Sequence, residues 1–466
     1  MKYSILHISD LHKGKDSDLN NLFVSLERDC ENYTHEGILK PSIIVVSGDV
    51  VNGAEGKNAI NEIKQQYQEV AEFLNRLVGL FLDGDKRRLI IVPGNHDICR
   101  TYSMASMAPS QEDKSKDVDA MKRMNPEIRW SWRDFRFYRV VHSSVYESRF
   151  SLFKEFYNTY YDGIRTIGGN PECYSDIVDL PEYGISFVLF NSCYRLDHLN
   201  FSGSICPSAV TVLDRSLNDL YKQGRLLVAV WHHHTMGLPP ETNYLDYRIL
   251  QTMLACHINI GLYGHQHKSQ VINNYSDIDE EQPMLLVCSG SLYGQRKELA
   301  TGYSRQYNLI TIENSNHTAK VSVSVRTDIQ VDYDIPSWAT GTIGKKARKS
   351  YDTEVPLYKP SVTESLMRID DVARKTGDFN KAVKELVALG REVPRYDDYL
   401  DEYLSKANLS ADDVIGLITD PQTETQAMVL INAAINKNDP EIKARIKALP
   451  IINSGSTILK ELVSNL

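Results

Sequence analysis

Apolar and polar positions follow two periods over the first two thirds of the chain. Residues 3–9 alternate as a short strand and end at a polar turn. Over 18–33, Leu19, Leu22, Phe23, Leu26 and Cys30 fall on one helical face. The run SIIVVS at 42–47 is continuously apolar, which predicts a strand buried on both faces. Ile60, Ile63, Tyr67, Val70, Phe73, Leu74 and Leu77 recur at helical spacing over 58–82, and an apolar strand follows at 88–92. This alternation of strand and helix predicts an α/β domain. Later strands are expected at 185–190, 225–231, 258–262, 284–288, 306–312 and 319–326, with helices over 208–222 and 245–256. The last strands have little helix between them, so part of the sheet is expected to be antiparallel.

Three stretches depart from this pattern. Residues 100–166 are too long for a plain connection and read as a partly helical insertion or lid. Within it, RWSWRDFRFYR at 129–139 interleaves arginines with aromatics, a mixture that suits phosphate binding and base stacking. The same residues also fit an amphipathic helix with an aromatic core face and solvated arginines, which is the preferred reading. RFSLFKEFYNTYY at 149–161 reads as a packed aromatic helix. Residues 334–362, rich in Pro, Gly, Lys and Thr, read as a linker between an α/β domain at 1–333 and a helical domain at 363–466. The last segment lacks His, Cys and Trp, and its short amphipathic pieces suit docking to a protein partner or self-association.

Composition narrows the class. With 466 residues, 42% hydrophobic and 24% charged, the chain is neither wholly disordered, collagen-like nor membrane-embedded. Lys and Arg number 52 against 61 acidic residues, so a global basic footprint for nucleic acid is absent, although a local one is not excluded. The 7 cysteines are scattered without a CxxC pair, which argues for reduced thiols rather than a disulfide framework or structural zinc knot. The first residues lack the features of a signal peptide, and no apolar run approaches the roughly 18 residues of a membrane span. A cytoplasmic protein with no membrane association is expected.

Five polar blocks follow apolar strands: Asp10-Leu11-His12, Gly48-Asp49, Gly94-Asn95-His96-Asp97, His232-His233-His234 and Gly264-His265-Gln266-His267. In α/β sheets, ligands gather beyond the carboxyl ends of strands. Carboxylate, amide and imidazole donors suit borderline divalent metals such as manganese, iron or zinc. In DxH after a strand the two side chains project to the same side and reach one ion; GHxH repeats this with two imidazoles. A lone carboxylate at Asp49 has two oxygens with which to bridge two ions. One block alone is a weak signal, as readily a turn as a site; five in order make a specific one.

The ordered set DxH, GD, GNHD, H, GHxH resembles the calcineurin-like metallophosphoesterase superfamily over about residues 1–330. That resemblance implies a four-layer α-β-β-α sandwich with a two-metal centre, followed here by a C-terminal all-α extension. It implies that Asp10, His12, Asp49 and His267 hold one cation, and that Asp49 bridges to a second held by Asn95, a histidine of 232–234, and His265. The family often shows His-x-Pro at the histidine block. Thr235 occupies the proline place, which points to His233, with His232 and His234 open as alternatives. By the same resemblance His96 is a proton donor or phosphate-binding imidazolium, and Asp97 orients it. The implied cofactors are two divalent ions, manganese first, with iron or zinc as alternatives. The implied activity is phosphodiester hydrolysis by a hydroxide that the two ions activate. The GNHD, GHxH and WHHH blocks are similar to those of class III cyclic-nucleotide phosphodiesterases, so nucleotides or nucleic acids are candidate substrates. A nuclease is the alternative within catalysis, and a non-catalytic protein-binding scaffold the alternative outside it.

Overall fold

The computed structural model describes residues 1–14, 18–123, 125–235, 244–246, 248–275, 284–294, 299, 302–330, 335–344, 346–451 and 456–466. It divides into two compact units, Met1–Tyr358 and Lys359–Leu466. In the first, the early strands are β1 (Lys2–Ile8), β2 (Ile43–Val46), β3 (Leu89–Ile91), β4 (Met107–Pro109), β5 (Ile128–Ser131), β6 (Arg136–Val140), β7 (Ser175–Leu180) and β8 (Ile185–Phe190). The later ones are β9 (Leu226–Val230), β10 (Ile260–Tyr263), β11 (Gln270–Tyr275), β12 (Met284–Cys288), β13 (Gln306–Asn314), β14 (Thr318–Asp328), β15 (Trp338–Thr340) and β16 (Ser350–Pro356).

One sheet runs β15-β14-β13-β1-β2-β3, with β16 also paired to β14; a second runs β11-β12-β10-β9-β8-β7. Within them, β1, β2 and β3 are parallel, as are β8, β9, β10 and β12. The antiparallel portion expected near the end is present as β1–β13 and β13–β14.

The side-chain period of a strand explains the layers. In β9, Leu226, Val228 and Val230 join a core shared with Ile5, Val45 and Ile310 of the first sheet. Leu227 and Ala229, with Trp231 just beyond, face the other way, onto Leu217 of the helix Asp214–Lys222 and Leu250 and Met253 of the helix Arg248–Ala255. On the opposite side the first sheet is covered by α1 (Leu19–Glu36) and α2 (Ala59–Leu82), whose Leu22, Leu26, Val70, Leu74 and Leu77 are buried. The Asp18 carboxylate caps α1 by accepting from the Asn20 and Asn21 amides. The result is helix, sheet, sheet, helix, the four-layer sandwich that the family resemblance implied.

Three expectations are corrected. Residues 129–139 form a β5–β6 hairpin, not a helix, and pair with β4 in a small third sheet. The aromatics two apart, Trp130 with Trp132 and Phe135 with Phe137, suit a period of two, and Trp130 pairs across from Phe137. The expected linker at 334–362 contains β15 and β16, which extend the first sheet along β14; their alternation is short and half-exposed, so no apolar run announced them. The cysteines are not all free: Cys173 and Cys206 form a disulfide, Cα atoms 5.0 Å apart. They lie 33 residues apart, and the fold brings together the turn before β7 and the start of the helix Pro207–Thr211. The aromatic helix is present as Ser151–Tyr161, with Phe153, Phe156 and Tyr157 buried.

The second unit holds seven helices among the described residues, from Val362–Thr376 to Thr457–Ser464, around its own core of Leu366, Ile369, Val383, Leu386, Tyr403, Leu430 and Ile431. Its first helix opens with a capping box between Ser361 and Glu364. No helix among the described residues is long and apolar enough to cross a membrane.

Candidate metal centre

The loops after β1, β2, β3, β9 and β10 meet at one end of the sandwich. The backbones interlock there: the amides of Asp10 and His12 donate to the carbonyls of Gly48 and Asp49, and the His265 amide donates to Asp10 Oδ2 at 3.0 Å. Two glycines make room. A Cβ on Gly48, whose φ is +95°, would lie 2.6 Å from His232 Nδ1, and one on Gly94 would lie 2.1 Å from Asp49 Oδ1. Asp10, His12, Asp49, His265 and His267 all adopt left-handed backbone, with φ of 53°, 44°, 53°, 73° and 54°. Such conformations cost about 1–3 kcal/mol each and concentrate where geometry serves a site.

The side chains form two clusters that share Asp49. In the first, His267 Nε2 lies 3.3 Å from Asp10 Oδ1, and His12 Nε2 lies 3.0 Å from His267 Nε2 and 3.9 Å from Asp49 Oδ2. In the second, His232 Nε2 lies 3.2 Å from Asp49 Oδ2, 3.1 Å from Asn95 Oδ1 and 3.2 Å from His265 Nδ1. Three sets of donors could each hold an ion: Asp10 with His12 and His267, His12 with Asp49 and His96, and Asp49 with His232 and His265, the atoms of each within 4.8 Å of one another. Carboxylate oxygens and imidazole nitrogens converging without a thiolate fit a hard-to-borderline divalent cation.

Of the expected residues, Asp10, His12, Asp49, Asn95, His265 and His267 therefore converge. His233 does not. Its Nδ1 pairs with Ser192 Oγ at 2.9 Å, and its carbonyl accepts from Trp231 Nε1, while His232 takes the place facing Asp49. The His232 ring is oriented by Nδ1, 2.7 Å from the Ser47 carbonyl, which leaves Nε2 toward the cluster.

Asp97 departs from its expected part as well. It accepts from the amides of Gly94 (2.8 Å) and Val50 and from the Tyr67 hydroxyl, so it secures the loop. The His96 ring is instead held by the Asn52 carbonyl, 3.0 Å from Nδ1, and the His96 amide donates to Asp49 Oδ1 at 2.8 Å. Sequence reasoning missed Ser192, Asn52 and Ser47. Ser192 carried the one visible signal, a polar residue at the end of apolar β8; its Oγ accepts from the amides of His232 and His233 at 3.1 and 3.2 Å.

Burial and charge compete across the cluster. Burial would raise the Asp49 carboxyl, yet His232, His96 and His12 outweigh it and hold Asp49 well below the usual range. Burial would lower His232, but the Asp49 charge and hydrogen bond, with Asp10, hold it at about 9. Burial prevails at His12, pushed down to about 4, and at His265, to about 3. Burial, reinforced by the neighbouring Asp49 charge, raises Asp97 to about 7.

The profile of the calcineurin-like phosphoesterases matches residues 3–269, from the first strand through the GHxH block. The chain belongs to the calcineurin-like phosphoesterase family. This calcineurin-like phosphoesterase matches no curated protein. Similar solved structures include a dimetal phosphatase from Danio rerio, 9% identical, covering 76% of this chain and 99% of its own, with a TM-score of 0.37. They also include the calcineurin-like phosphoesterase YfkN from Bacillus subtilis, 10% identical over 82% of this chain and 98% of its own, TM-score 0.29. A third is GAP50, the anchor in the inner membrane complex of Plasmodium, 12% identical over 77% and 90%, TM-score 0.30. The family makes the chain an enzyme that acts on phosphoesters, and its His and Asp clusters are candidate metal sites.

Proposed function

We propose that the chain is a phosphodiester hydrolase with a two-metal centre. The observation that carries this reading is the sharing of Asp49 by the Asp10–His12–His267 and Asn95–His232–His265 clusters. In this reading Asp10, His12, Asp49 and His267 hold one divalent ion, and Asp49, Asn95, His232 and His265 the other, with manganese the first candidate and iron or zinc next. When bound, such a pair would neutralise phosphate oxygens and lower the pKa of a bound water.

The chain supplies the rest. The Ser47 carbonyl holds the His232 ring by Nδ1, so Nε2 is the donor atom. The Asn52 carbonyl holds His96 by Nδ1, so Nε2 is the atom that gives a proton to the leaving oxygen or steadies the phosphate. A diester is favoured by the likeness of the GNHD, WHHH and GHxH blocks to those of class III cyclic-nucleotide phosphodiesterases. Residence in the cytoplasm belongs to the same reading, supported by five unpaired cysteines, four of them buried; the Cys173–Cys206 bridge would then be found open in protein taken from its cells.

The test is a panel of bis-p-nitrophenyl phosphate, p-nitrophenyl phosphate, cyclic nucleotides and oligonucleotides, run on chelated protein resupplied with Mn²⁺, Fe²⁺ or Zn²⁺. Turnover of the diester that needs added metal supports the reading. Preference for the monoester would move the chain to the phosphomonoesterases, and metal-replete protein inert toward every ester would favour the scaffold.

A further inference from the structure

The hairpin β5–β6 sorts the residues of 129–139 into two groups. Arg129 and Arg139 are committed to the fold: Arg129 Nε lies 2.7 Å from Asp197 with Nη2 on the Tyr146 hydroxyl, and Arg139 pairs with Asp117 at 2.8 Å. Trp130 and Phe137 pack edge to face across the strands, centroids 4.8 Å apart. The tip is different. Trp132 is 77% exposed and Phe135 is 73% exposed, and Arg133 and Arg136 beside them are exposed with no hydrogen-bond or ion-pair partner among the described residues. Trp132 stands perpendicular to Trp130, centroids 5.8 Å apart, so the edge contact leaves a ring face open. Lys114 Nζ adds a cation 5.7 Å from the Trp130 ring.

Two large exposed rings close together on one hairpin turn mark an interaction surface rather than a core. Open ring faces beside two exposed guanidinium groups, which share only the single carboxylate of Asp134 nearby, match one chemistry, planar bases strung on a phosphate chain. The local charge is positive on a chain of formal charge −9. The root of the hairpin is also tied to the site. Asp197, the partner of Arg129, sits in the loop after β8, and Ser192 at the start of that loop supports His232 and His233. A bilayer is the other surface that receives Trp and Phe, but Asp134 lies between the two rings, its carboxylate bonded to Ser131 and Tyr138. Burying that charge in lipid is unfavourable.

We infer that the tip of the β5–β6 hairpin, through Trp132, Phe135, Arg133 and Arg136, is a stacking platform for single-stranded nucleic acid. That this strand is also the substrate rests on the phosphodiesterase reading above; the binding does not.

The experiment separates the two. The full chain, stripped of metal with chelator so that nothing is cleaved, is titrated against a fluorescein-labelled dT12 oligonucleotide at low and moderate salt, against duplex DNA, and against vesicles of phosphatidylcholine with phosphatidylserine. Wild type should bind dT12 more tightly than duplex. W132A/F135A should weaken dT12 binding about tenfold or more. R133Q/R136Q should flatten the salt dependence by about one to two ion equivalents. Metal-loaded hydrolysis of bis-p-nitrophenyl phosphate should be unchanged in both variants, which shows that they are folded. Equal dT12 affinity in wild type and variants, or no dT12 binding, overturns the proposal, as does vesicle binding that is lost in the variants while dT12 binding is not. Should dT12 binding follow the expected pattern while bis-p-nitrophenyl phosphate is never hydrolysed, the platform stands and the function proposed for the metal centre falls.

Discussion

His232 Nε2 lies 3.2 Å from Asp49 Oδ2, deep enough that neither side chain meets solvent. That contact selects one histidine from three in a row, because strand β9 ends at Val230 and the ring must reach back across the sandwich to the Ser47 carbonyl. His232→Ala should therefore remove one bound ion per chain and cut turnover sharply, whereas His233→Ala should keep the metal content of the wild type. Metal analysis of the two purified variants decides it; a His233 variant short of one ion would return the donor role to that residue.

The shared carboxylate makes a stronger demand. Asp49→Ala takes a donor from both clusters at once, so both ions should be lost or weakened together. Calorimetric titration with Mn²⁺ should show no tight site. A variant that still takes up two ions would remove Asp49 from the bridging position.

His96 separates binding from chemistry. Its ring is fixed by Asn52 and stands edge to face with His12, centroids 4.7 Å apart. As a proton donor it should contribute about 10²–10⁴-fold to turnover. His96→Ala is expected to keep both ions and lose activity by that factor on diesters with poor, alkoxide leaving groups, and by less on bis-p-nitrophenyl phosphate, whose p-nitrophenolate leaves without much proton help. Loss of an ion from this variant would make His96 a ligand, as its place with His12 and Asp49 allows.

Ser192 acts at one remove. Its single hydroxyl meets two amides and the His233 ring. Ser192→Ala should weaken the ion held by His232 by about 10–100-fold, the usual cost of losing an outer partner, with kcat restored at saturating metal. An unchanged metal affinity would reduce Ser192 to packing.

How much of this was legible follows from where each instruction lies along the chain. Asp10, Asp49, Asn95 and the GHxH pair each close an apolar strand, so local pattern and order sufficed to bring them together. Which of His232, His233 and His234 faces Asp49 was not local. It is set by Ser47 and Ser192, each roughly forty or more residues away, and by the Trp231 indole bonded to the His233 carbonyl. Adjacency suggested that Asp97 orients His96, yet the tight turn aims its carboxylate at the amides of Gly94 and Val50. The RWSWRDFRFYR stretch fits both a period of two and a helical face, and only the pairing of Trp130 with Phe137 settles the choice. The five candidate donor residues with left-handed backbone are all Asp or His, among the few non-glycine types enriched there, but that enrichment is too small to announce the conformation in a sequence.

Stability of the first unit has its own buried charge. Arg326 on β14, 1% exposed, is paired with Asp29 and Glu36 of α1, and Tyr307 donates to Asp29. Arg326→Met should cost about 3–5 kcal/mol, because Asp29 would remain buried without its cation. The hydrogen bond from Arg326 holds the Glu36 carboxyl below its ordinary value. A carboxyl depressed in the folded state stabilises above its unfolded pKa, about 4.3, and that contribution fades as pH falls through the folded value. Denaturant midpoints followed by tryptophan fluorescence from pH 6 to pH 3 should thus fall on acidification in the wild type and fall less in Glu36→Gln. Parallel curves for the two proteins would show that the Glu36 contact with Arg326 adds nothing to folding.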